Sequence, residues 1–296
     1  MNSLRPVLFL AFLLTVLTAS GQTGMQHSHA ADSIAFVNAP WQRDTIEGMC
    51  YMRHHFHQKQ LFGTNQYFCV VELPKATNMR LHFVADSHLT TLSDFALRHH
   101  AAAAINGSYF NMRTGEPICY LRIDGETRGV NTPGRTDTVN RKYYQYATIR
   151  LLRTGKPRFR VPDSLRNAEN AMKDSNLMTA GPMLLCKGDC VPQQMEKRFV
   201  SGRHNRSAIG LKPDGTVVLL VVDGRAKGES EGLTLPELAL VMRWLGCCDA
   251  VNLDGGGSST LYVRGQGTEG IVNHPSDNGR FDPYGQRPIA NAILIY

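Results

Sequence analysis

The residues best suited to chemistry lie together in residues 250–263, which read A-V-N-L-D-G-G-G-S-S-T-L-Y-V. Consecutive glycines are unfavourable inside a helix or a strand. They suit a place where the backbone needs a positive φ or must let another group come close. Their amide groups and the hydroxyls that follow can form an anion-binding concavity, with the carboxylate of Asp254 at its rim. A glycine-rich hairpin without chemistry is the alternative that this stretch alone leaves open.

A basic loop is the second candidate, because Arg203, His204 and Arg206 fall within four positions. Guanidinium groups match phosphate oxygens bidentately, so this loop is the best candidate for an anion clamp in the sequence. A solvated loop with no ligand is the alternative reading of the same residues.

Two apolar runs end in polar residues that could line a pocket. Residues 101–105 lead into Asn106-Gly107-Ser108-Tyr109, and residues 216–222 lead into Asp223-Gly224-Arg225. The first of these polar groups could equally be a plain hairpin turn at Asn106-Gly107.

The elements that must position these residues are mostly strands. Residues 216–222 are apolar throughout, which predicts a central strand buried on both faces. Residues 66–73 and 79–85 are rich in β-branched and aromatic residues and flank a turn, so we expect them to pair as a hairpin. Residues 289–296 predict an apolar closing strand.

Two helices are indicated by their caps and their apolar spacing. The clearer one begins after Thr234, has Glu237 as its capping-box partner and ends at Gly246. The other is predicted over residues 91–100, with Thr90 or Thr91 as a possible N-cap.

The composition is that of a globular protein. Of the 296 residues, 42% are apolar and 19% are charged, and no internal repeat or low-complexity linker divides the chain. Residues 1–20 have the basic, apolar and small-residue order of a secretory signal peptide, which predicts export to the periplasm or the medium. We expect a mobile tail over residues 21–34 and one domain over residues 35–296.

Charge and cysteine content narrow the partners. The net charge of +7 suits an anionic ligand or an anionic envelope surface. No lysine-rich run marks a nucleic-acid face, and the leader is too short for stable membrane insertion. Of the seven cysteines, Cys186 and Cys190 could close a small loop as a disulfide, and none has the paired spacing of a zinc site.

Five motifs occur in an order that resembles the phosphodiester glycosidase family. They are Asn106 to Phe110, Thr179 to Pro182, Arg206 to Gly210, Asp223 to Arg225 and Asn252 to Ser258. The resemblance runs from about residue 65 to residue 296. It implies an α+β fold with mixed, mostly antiparallel sheets and packed helices in a single domain. It also implies hydrolysis of the bond between a sugar, such as N-acetylglucosamine, and a phosphodiester in an exported bacterial glycan or glycoconjugate.

The resemblance also assigns roles that suit this chemistry. Cleaving the sugar C1–O bond needs a carboxylate near C1 and cations or N–H donors on the phosphate. We expect Asp254 to be that carboxylate, as nucleophile or base, Arg206 to be the cation and Asp223 to be a second acid or base. The substrate-binding candidates share these loops: Asn106, Gly107, Tyr109, Arg203, His204, Arg225, Gly255, Gly256, Gly257 and Ser258.

Two other functions compete with this interpretation. One is a metal-dependent phosphodiesterase that uses Asp223, Asp254 and a histidine as ligands, although no histidine cluster has good metal spacing. The other is a non-catalytic glycan-binding module of the envelope. The preferred interpretation requires no cofactor, does not exclude a divalent cation, and has a carbohydrate phosphodiester as its substrate.

Overall fold

The computed structural model describes residues 23–133, 142–160, 167–193 and 197–296. The predicted signal peptide lies outside the described residues. The α-helices are α1 (Thr23–Val37), α2 (Leu92–Arg98), α3 (Lys197–Ser201) and α4 (Leu235–Trp244). The strands, in chain order, are β1 (Gln42–Ile46), β2 (Met49–Leu61), β3 (Thr64–Leu73), β4 (Leu81–Thr90), β5 (Ala103–Asn106), β6 (Leu121–Ile123), β7 (Glu126–Gly129), β8 (Ala147–Leu151), β9 (Pro157–Arg160), β10 (Asn176–Ala180), β11 (Met183–Cys186), β12 (Asp189–Cys190), β13 (Arg206–Leu211), β14 (Val217–Val222), β15 (Asp249–Asn252), β16 (Leu261–Val263) and β17 (Ile289–Ile295).

The described strands form three sheets. The largest has eight strands in the order β1-β2-β3-β14-β13-β15-β11-β12, the second has five in the order β7-β6-β10-β8-β9, and the third has four in the order β16-β5-β17-β4. Strands that neighbour each other in the third sheet and around β13 pair antiparallel. The predicted α+β class with mostly antiparallel sheets is confirmed.

The eight-stranded sheet is covered on both faces. One face packs against the other two sheets, where Leu219 of β14 shares a buried cluster with Ile149 of β8 and Ile293 of β17. The other face packs under α1 and α4 through residues such as Leu220 and Leu238. All of β14 is buried as a result, which confirms the two-sided burial that its unbroken apolar run predicted.

The helix caps follow the sequence closely. In α4, the Thr234 side chain accepts from the Glu237 amide while the Glu237 side chain accepts from the Thr234 amide. In α2, Thr91 accepts from the amide of Asp94. Both caps are local interactions, which explains why a local pattern found them.

Two local predictions are wrong, the hairpin and the disulfide. The run predicted as the first half of a hairpin becomes β3, which pairs with β2 and β14, whereas the second half becomes β4, which pairs with β17. Apolar partners in distant parts of the chain therefore outweigh the short turn between them.

The stretch predicted as a mobile tail is in part packed. Helix α1 covers most of it, and Asp32 accepts a 2.7 Å hydrogen bond from the Phe62 amide. Just beyond it, Phe36 is buried among the aromatic rings of Trp41 and Phe68.

The predicted disulfide between Cys186 and Cys190 does not form, and all seven thiols are free. In the antiparallel pair of β11 and β12, Leu185 lies opposite Cys190 and Cys186 lies opposite Asp189. Opposed residues share a face and successive residues alternate, so the two thiols project from opposite faces of the hairpin.

Candidate functional site

The glycine-rich loop crosses from one sheet to another. Strand β15, which ends at Asn252, pairs with β13 and β11 in the eight-stranded sheet, whereas β16, which begins at Leu261, pairs with β5 in the four-stranded sheet. A short 3-10 helix, Gly256–Ser258, lies between the two strands, and Gly256 has a φ of +62°. The loop therefore joins two strands that belong to different sheets.

Asp254 stands at the start of this loop and is half-buried. Its Oδ1 accepts a 2.9 Å hydrogen bond from the Gly255 amide. Burial raises the pKa of the carboxyl to about 6, against the opposing effects of the Ser258 hydroxyl, the Gly255 amide and the charges of Arg287 and Arg225. With a pKa of about 6, the carboxyl group exchanges its proton readily near neutral pH. That property suits an acid, a base or a nucleophile.

Two guanidinium groups lie against the glycines. A Cβ added to Gly256 would lie 2.7 Å from Arg225 Nη2, and one added to Gly257 would lie 2.6 Å from Arg287 Cζ. Only glycine therefore lets both cations reach the loop backbone beside Asp254. Arg287 is also held by Asp277, whose Oδ1 accepts from Nε at 2.9 Å. Two arginines beside one carboxylate form a place for a phosphate next to a reacting atom.

The hydroxyls after the glycines are unusual. The side-chain oxygens of Ser258, Ser259 and Thr260 are buried without a hydrogen bond of normal geometry in the described structure, although Ser258 lies close enough to Asp254 to affect its pKa. Buried hydroxyls are normally paired, because an unpaired one costs free energy. Three of them in succession mark the loop as a place where polar atoms of a ligand or of water would complete the bonding.

Asn106 lies in the interior and bonds to the backbone of the loop. It is fully buried; its Nδ2 donates to the Asp254 carbonyl at 2.8 Å, and its Oδ1 accepts from the Ser207 hydroxyl and the Thr260 amide. Gly107 is a close-approach position, since an added Cβ would lie 3.0 Å from the Asn291 carbonyl oxygen. Neither residue fits the predicted substrate-binding role, because the polar groups of Asn106 and Gly107 already bond within the fold.

Tyr109 is half-buried at the same edge. Its hydroxyl donates to the Gly181 carbonyl and accepts from Asn252 Nδ2, both at 2.8 Å. Its ring packs on Tyr144 with 5.1 Å between centroids. The hydroxyl is therefore engaged, and a ligand would meet Tyr109 through its ring.

Asp223 orients a histidine that the sequence had not suggested. The carboxylate is fully buried and accepts three hydrogen bonds, from Asn273 Nδ2 at 2.8 Å, from the His274 amide at 2.9 Å and from His274 Nδ1 at 2.8 Å. Burial raises its pKa, and His274 and Asn273 oppose that shift. A carboxylate only accepts, so Nδ1 carries the proton of this bond, and in the neutral imidazole Nε2 is then the acceptor.

The His274 ring packs against two aromatic rings and is connected to the glycine loop. It stacks on Phe281 with 3.8 Å between centroids, and Tyr67 meets it edge-on at 4.8 Å. Asn273, which holds Asp223, also donates to the Ser259 carbonyl. Asp223 therefore holds both the His274 ring and Asn273 in place.

The structure places Arg206 in the interior, which corrects its predicted role as the phosphate cation. It is 2% exposed. Its guanidinium donates to the carbonyls of Leu233, Gly202 and Phe199 at 2.8 to 3.0 Å. Burial lowers its pKa to about 10, so it stays charged at neutral pH. The bonds from Nε and Nη2 tie the start of β13 to α3 and to the residue before Thr234, so these donors are not available to a ligand.

The other two members of the basic loop also differ from the clamp that was predicted. Arg203 is engaged with Glu237 at the N-terminus of α4 and with the Gly232 carbonyl. The pKa of His204 is lowered by burial and then by nearby arginines including Arg225, and its Nδ1 is buried without a partner among the described residues. Of the three, only His204 has a fully buried side-chain atom without a partner in the described structure.

We expect Arg206→Ala to act on stability. Removal of the guanidinium leaves three carbonyls without their donor, so the free energy of unfolding should fall by about 3 kcal/mol. Denaturant unfolding measures this directly, and Arg225→Ala is the matched control because Arg225 is exposed. An Arg206→Ala variant that unfolds like the wild type but loses substrate affinity would restore the original assignment.

No group of three or more His, Cys, Asp and Glu side chains in the described part of the chain is placed to hold a metal ion. The same residues include no helix long and apolar enough to cross a membrane.

Comparison with known proteins identifies the class to which this fold and site belong. A sequence model of the phosphodiester glycosidase family matches residues 99–296. The chain therefore belongs to the phosphodiester glycosidase family, a family of hydrolases, and the resemblance predicted from the five motifs is confirmed.

The relatives are distant. The chain is 26% identical over 211 residues to mouse N-acetylglucosamine-1-phosphodiester alpha-N-acetylglucosaminidase, and the match covers 66% of this chain and 37% of the mouse protein. It is 41% identical over 75 residues to an uncharacterised prophage-derived protein of Bacillus subtilis, a match that covers 25% of this chain and 11% of that protein. The chain thus spans little more than a third of the mouse relative.

A solved structure shares the fold. The zebrafish N-acetylglucosamine-1-phosphodiester alpha-N-acetylglucosaminidase catalytic domain, auto-inhibited by its pro-peptide, superposes with a TM-score of 0.64 at 18% identity. The match covers 88% of this chain and 84% of that one.

Arg287 and His274 are the site residues that sequence reasoning missed. Both lie in the irregular segment between β16 and β17, where no periodicity ranks one polar residue above another. The signal that could have found them is indirect: a glycine run needs cations from elsewhere in the chain to make an anion site, and this segment holds unassigned arginines.

Proposed function

We propose that the protein hydrolyses the glycosidic bond between a sugar and the phosphate of a sugar-1-phosphodiester. The observation that carries the proposal is the position of Asp254 on a glycine loop against which both Arg225 and Arg287 lie. A carboxylate next to two guanidinium groups matches a transition state with positive charge on the sugar ring and negative charge on the departing phosphate.

The proposed reaction uses two arginines, one carboxylate, a water molecule and a base. The C1–O bond breaks and its electron pair leaves with the phosphate, which is a good leaving group and needs little help from a general acid. Arg225 and Arg287 stabilise that phosphate, and Asp254 stabilises or captures the developing cation at C1. Water then supplies the hydroxyl at C1, and one of its protons must pass to a base.

His274 suits the role of that base. Its Nδ1–H bond to Asp223 leaves Nε2 as the acceptor of the ring, and Asp223 stabilises the imidazolium that forms on proton transfer. Because its side chain is 22% exposed, solvent can reach it. Asp223 thus contributes through His274 and not by its own contact with the sugar.

The proposed location of the protein and the source of its substrate rest on the sequence. Residues 1–20 favour export, and we propose an exported glycan or glycoconjugate as the source of the phosphodiester. Nucleic acid is not proposed as a partner, since no lysine-rich run is present.

The test is hydrolysis of a sugar-1-phosphodiester in ¹⁸O-labelled water with the full chain. We expect free sugar that carries the label and an unlabelled phosphomonoester, because the C1–O bond breaks. Label in the phosphate would show P–O cleavage and overturn the proposal in favour of a phosphodiesterase. The reaction as proposed requires no metal, so prior dialysis against a chelator should leave the rate unchanged.

A further inference from the structure

A cavity lies at the end of the sheets remote from the glycine loop. It has a volume of about 970 Å³ and lies between the start of β4, the β8–β9 hairpin and the start of β10. Leu81 and Asn176 line it. Leu81 pairs with Ile295, and Ile295 pairs with Ala103 at the end of β5 remote from Asn106. In β10, Asn176 is likewise at the opposite end from Ala180, which precedes the Gly181 carbonyl that Tyr109 contacts.

The walls of this cavity carry more cations than carboxylates. Its two carboxylates are already engaged: Asp174 accepts a bidentate pair from Arg150 at 2.8 and 3.0 Å, and Asp124 accepts from Asn176 Nδ2 at 3.2 Å. Four further cations line it, namely Arg80, Arg153, Arg160 and Lys173. Within the described ranges none of these four has an ion-pair partner, and all are exposed.

The size of the cavity and the spread of its charges argue for a ligand with several anionic groups. Cavities of roughly 300–1,000 Å³ hold ligands much larger than a single phosphate ion. Arginine forks at several points around the cavity can each take a phosphate, since guanidinium groups bind phosphate bidentately. A ligand with phosphates repeated along its length satisfies both conditions.

We propose that this cavity, called the groove from here on, binds a second segment of a polymeric substrate in which sugars are joined by phosphodiesters. The ligand class rests on the proposed function; the anion site itself does not. The groove and the glycine loop lie near opposite ends of β10. At about 3.4 Å per residue, the length of that strand alone puts roughly 15 Å between them. A small sugar-1-phosphodiester cannot span that distance, so the groove contributes to polymer binding and not to the chemistry on a small substrate.

Direct binding tests the site. The probe is a short inorganic polyphosphate, titrated into protein that carries Arg225→Ala and Arg287→Ala, so that the glycine loop cannot contribute. Adding Arg153→Glu and Arg160→Glu should weaken binding about tenfold or more. Adding Arg43→Glu and Lys59→Glu, two exposed cations of β1 and β2 outside the groove, gives the same change in net charge and should leave binding within about twofold.

Two results would overturn the groove as an anion site. One is equal weakening by both charge reversals, and the other is no binding of polyphosphate by the starting protein. The neutral pair Arg153→Gln and Arg160→Gln, with melting temperatures checked, covers the case in which charge reversal disturbs folding, and it should also weaken binding.

Kinetic measurements distinguish failure of this inference from failure of the proposed function. With Arg225 and Arg287 intact, the groove variant should keep its kcat/KM on a small sugar-1-phosphodiester and show a raised KM on a polymeric one. Unchanged KM on the polymer overturns the polymer role. Absence of any turnover by the wild type, with polyphosphate binding still dependent on Arg153 and Arg160, would refute the proposed function while the anion site stands.

Discussion

Asp254→Asn should lower kcat by about a hundredfold or more while the melting temperature stays near that of the wild type. The amide keeps the size of the side chain and an oxygen that can accept from the Gly255 amide, so the local hydrogen bond persists. What it removes is the negative charge beside C1. Steady-state kinetics and thermal unfolding of the two proteins measure both quantities.

The pH dependence gives an independent reading of the same residue. Burial raises the pKa of Asp254 to about 6, so turnover that needs the carboxylate should fall as the pH drops below about 6. The folded-state pKa lies above the unfolded value, so the wild type loses stability from this group as the pH rises from about 4 to 6. Asp254→Asn should remove that loss. A variant that melts early and still turns over at the wild-type rate would make Asp254 a structural cap.

Arg225→Ala and Arg287→Ala should each reduce kcat/KM on a sugar-1-phosphodiester by about 30-fold, corresponding to about 2 kcal/mol. Both guanidinium groups lie on the glycine loop and neither is in the interior core. Arg287→Ala also frees Asp277, which is partly exposed and returns to water at little cost. We therefore expect the loss in kinetics with little change in unfolding.

The control for the two arginines is the opposite behaviour of Arg206, whose loss should act on unfolding. Arg225→Lys and Arg287→Lys keep the charge but not the fork, so partial recovery would indicate bidentate recognition of phosphate. Full activity in the double alanine variant would remove both residues from the site.

The sequence predicted what depends on neighbours in the chain. The capping box of α4 joins residues three apart, and the burial of β14 is recorded in its own apolar residues. The glycine loop and its carboxylate were also recognisable, because three glycines have few other uses.

Whether an arginine side chain points into the interior or toward the glycine loop was not predictable from the sequence. Arg206 and Arg225 are both arginines at strand ends, yet Arg206 begins β13, which lies between β14 and β15, and its side chain turns into the interior. Arg225 follows β14 in a left-handed conformation, at a φ of +60°, and is exposed. Only the tertiary structure decides between these two environments, and the same is true of Arg287 and His274.

The crossing of the glycine loop between two sheets has a consequence for folding. Asn106 Oδ1 accepts from the Thr260 amide across 154 positions of the chain, and β5 pairs with β16 over a similar span. Such contacts form slowly, because the closure of a long loop costs entropy before any contact can offset it. The loop that holds Asp254 cannot take its shape until both ends of this span have met, so catalytic competence is a property of the completed fold and of no fragment that lacks either end.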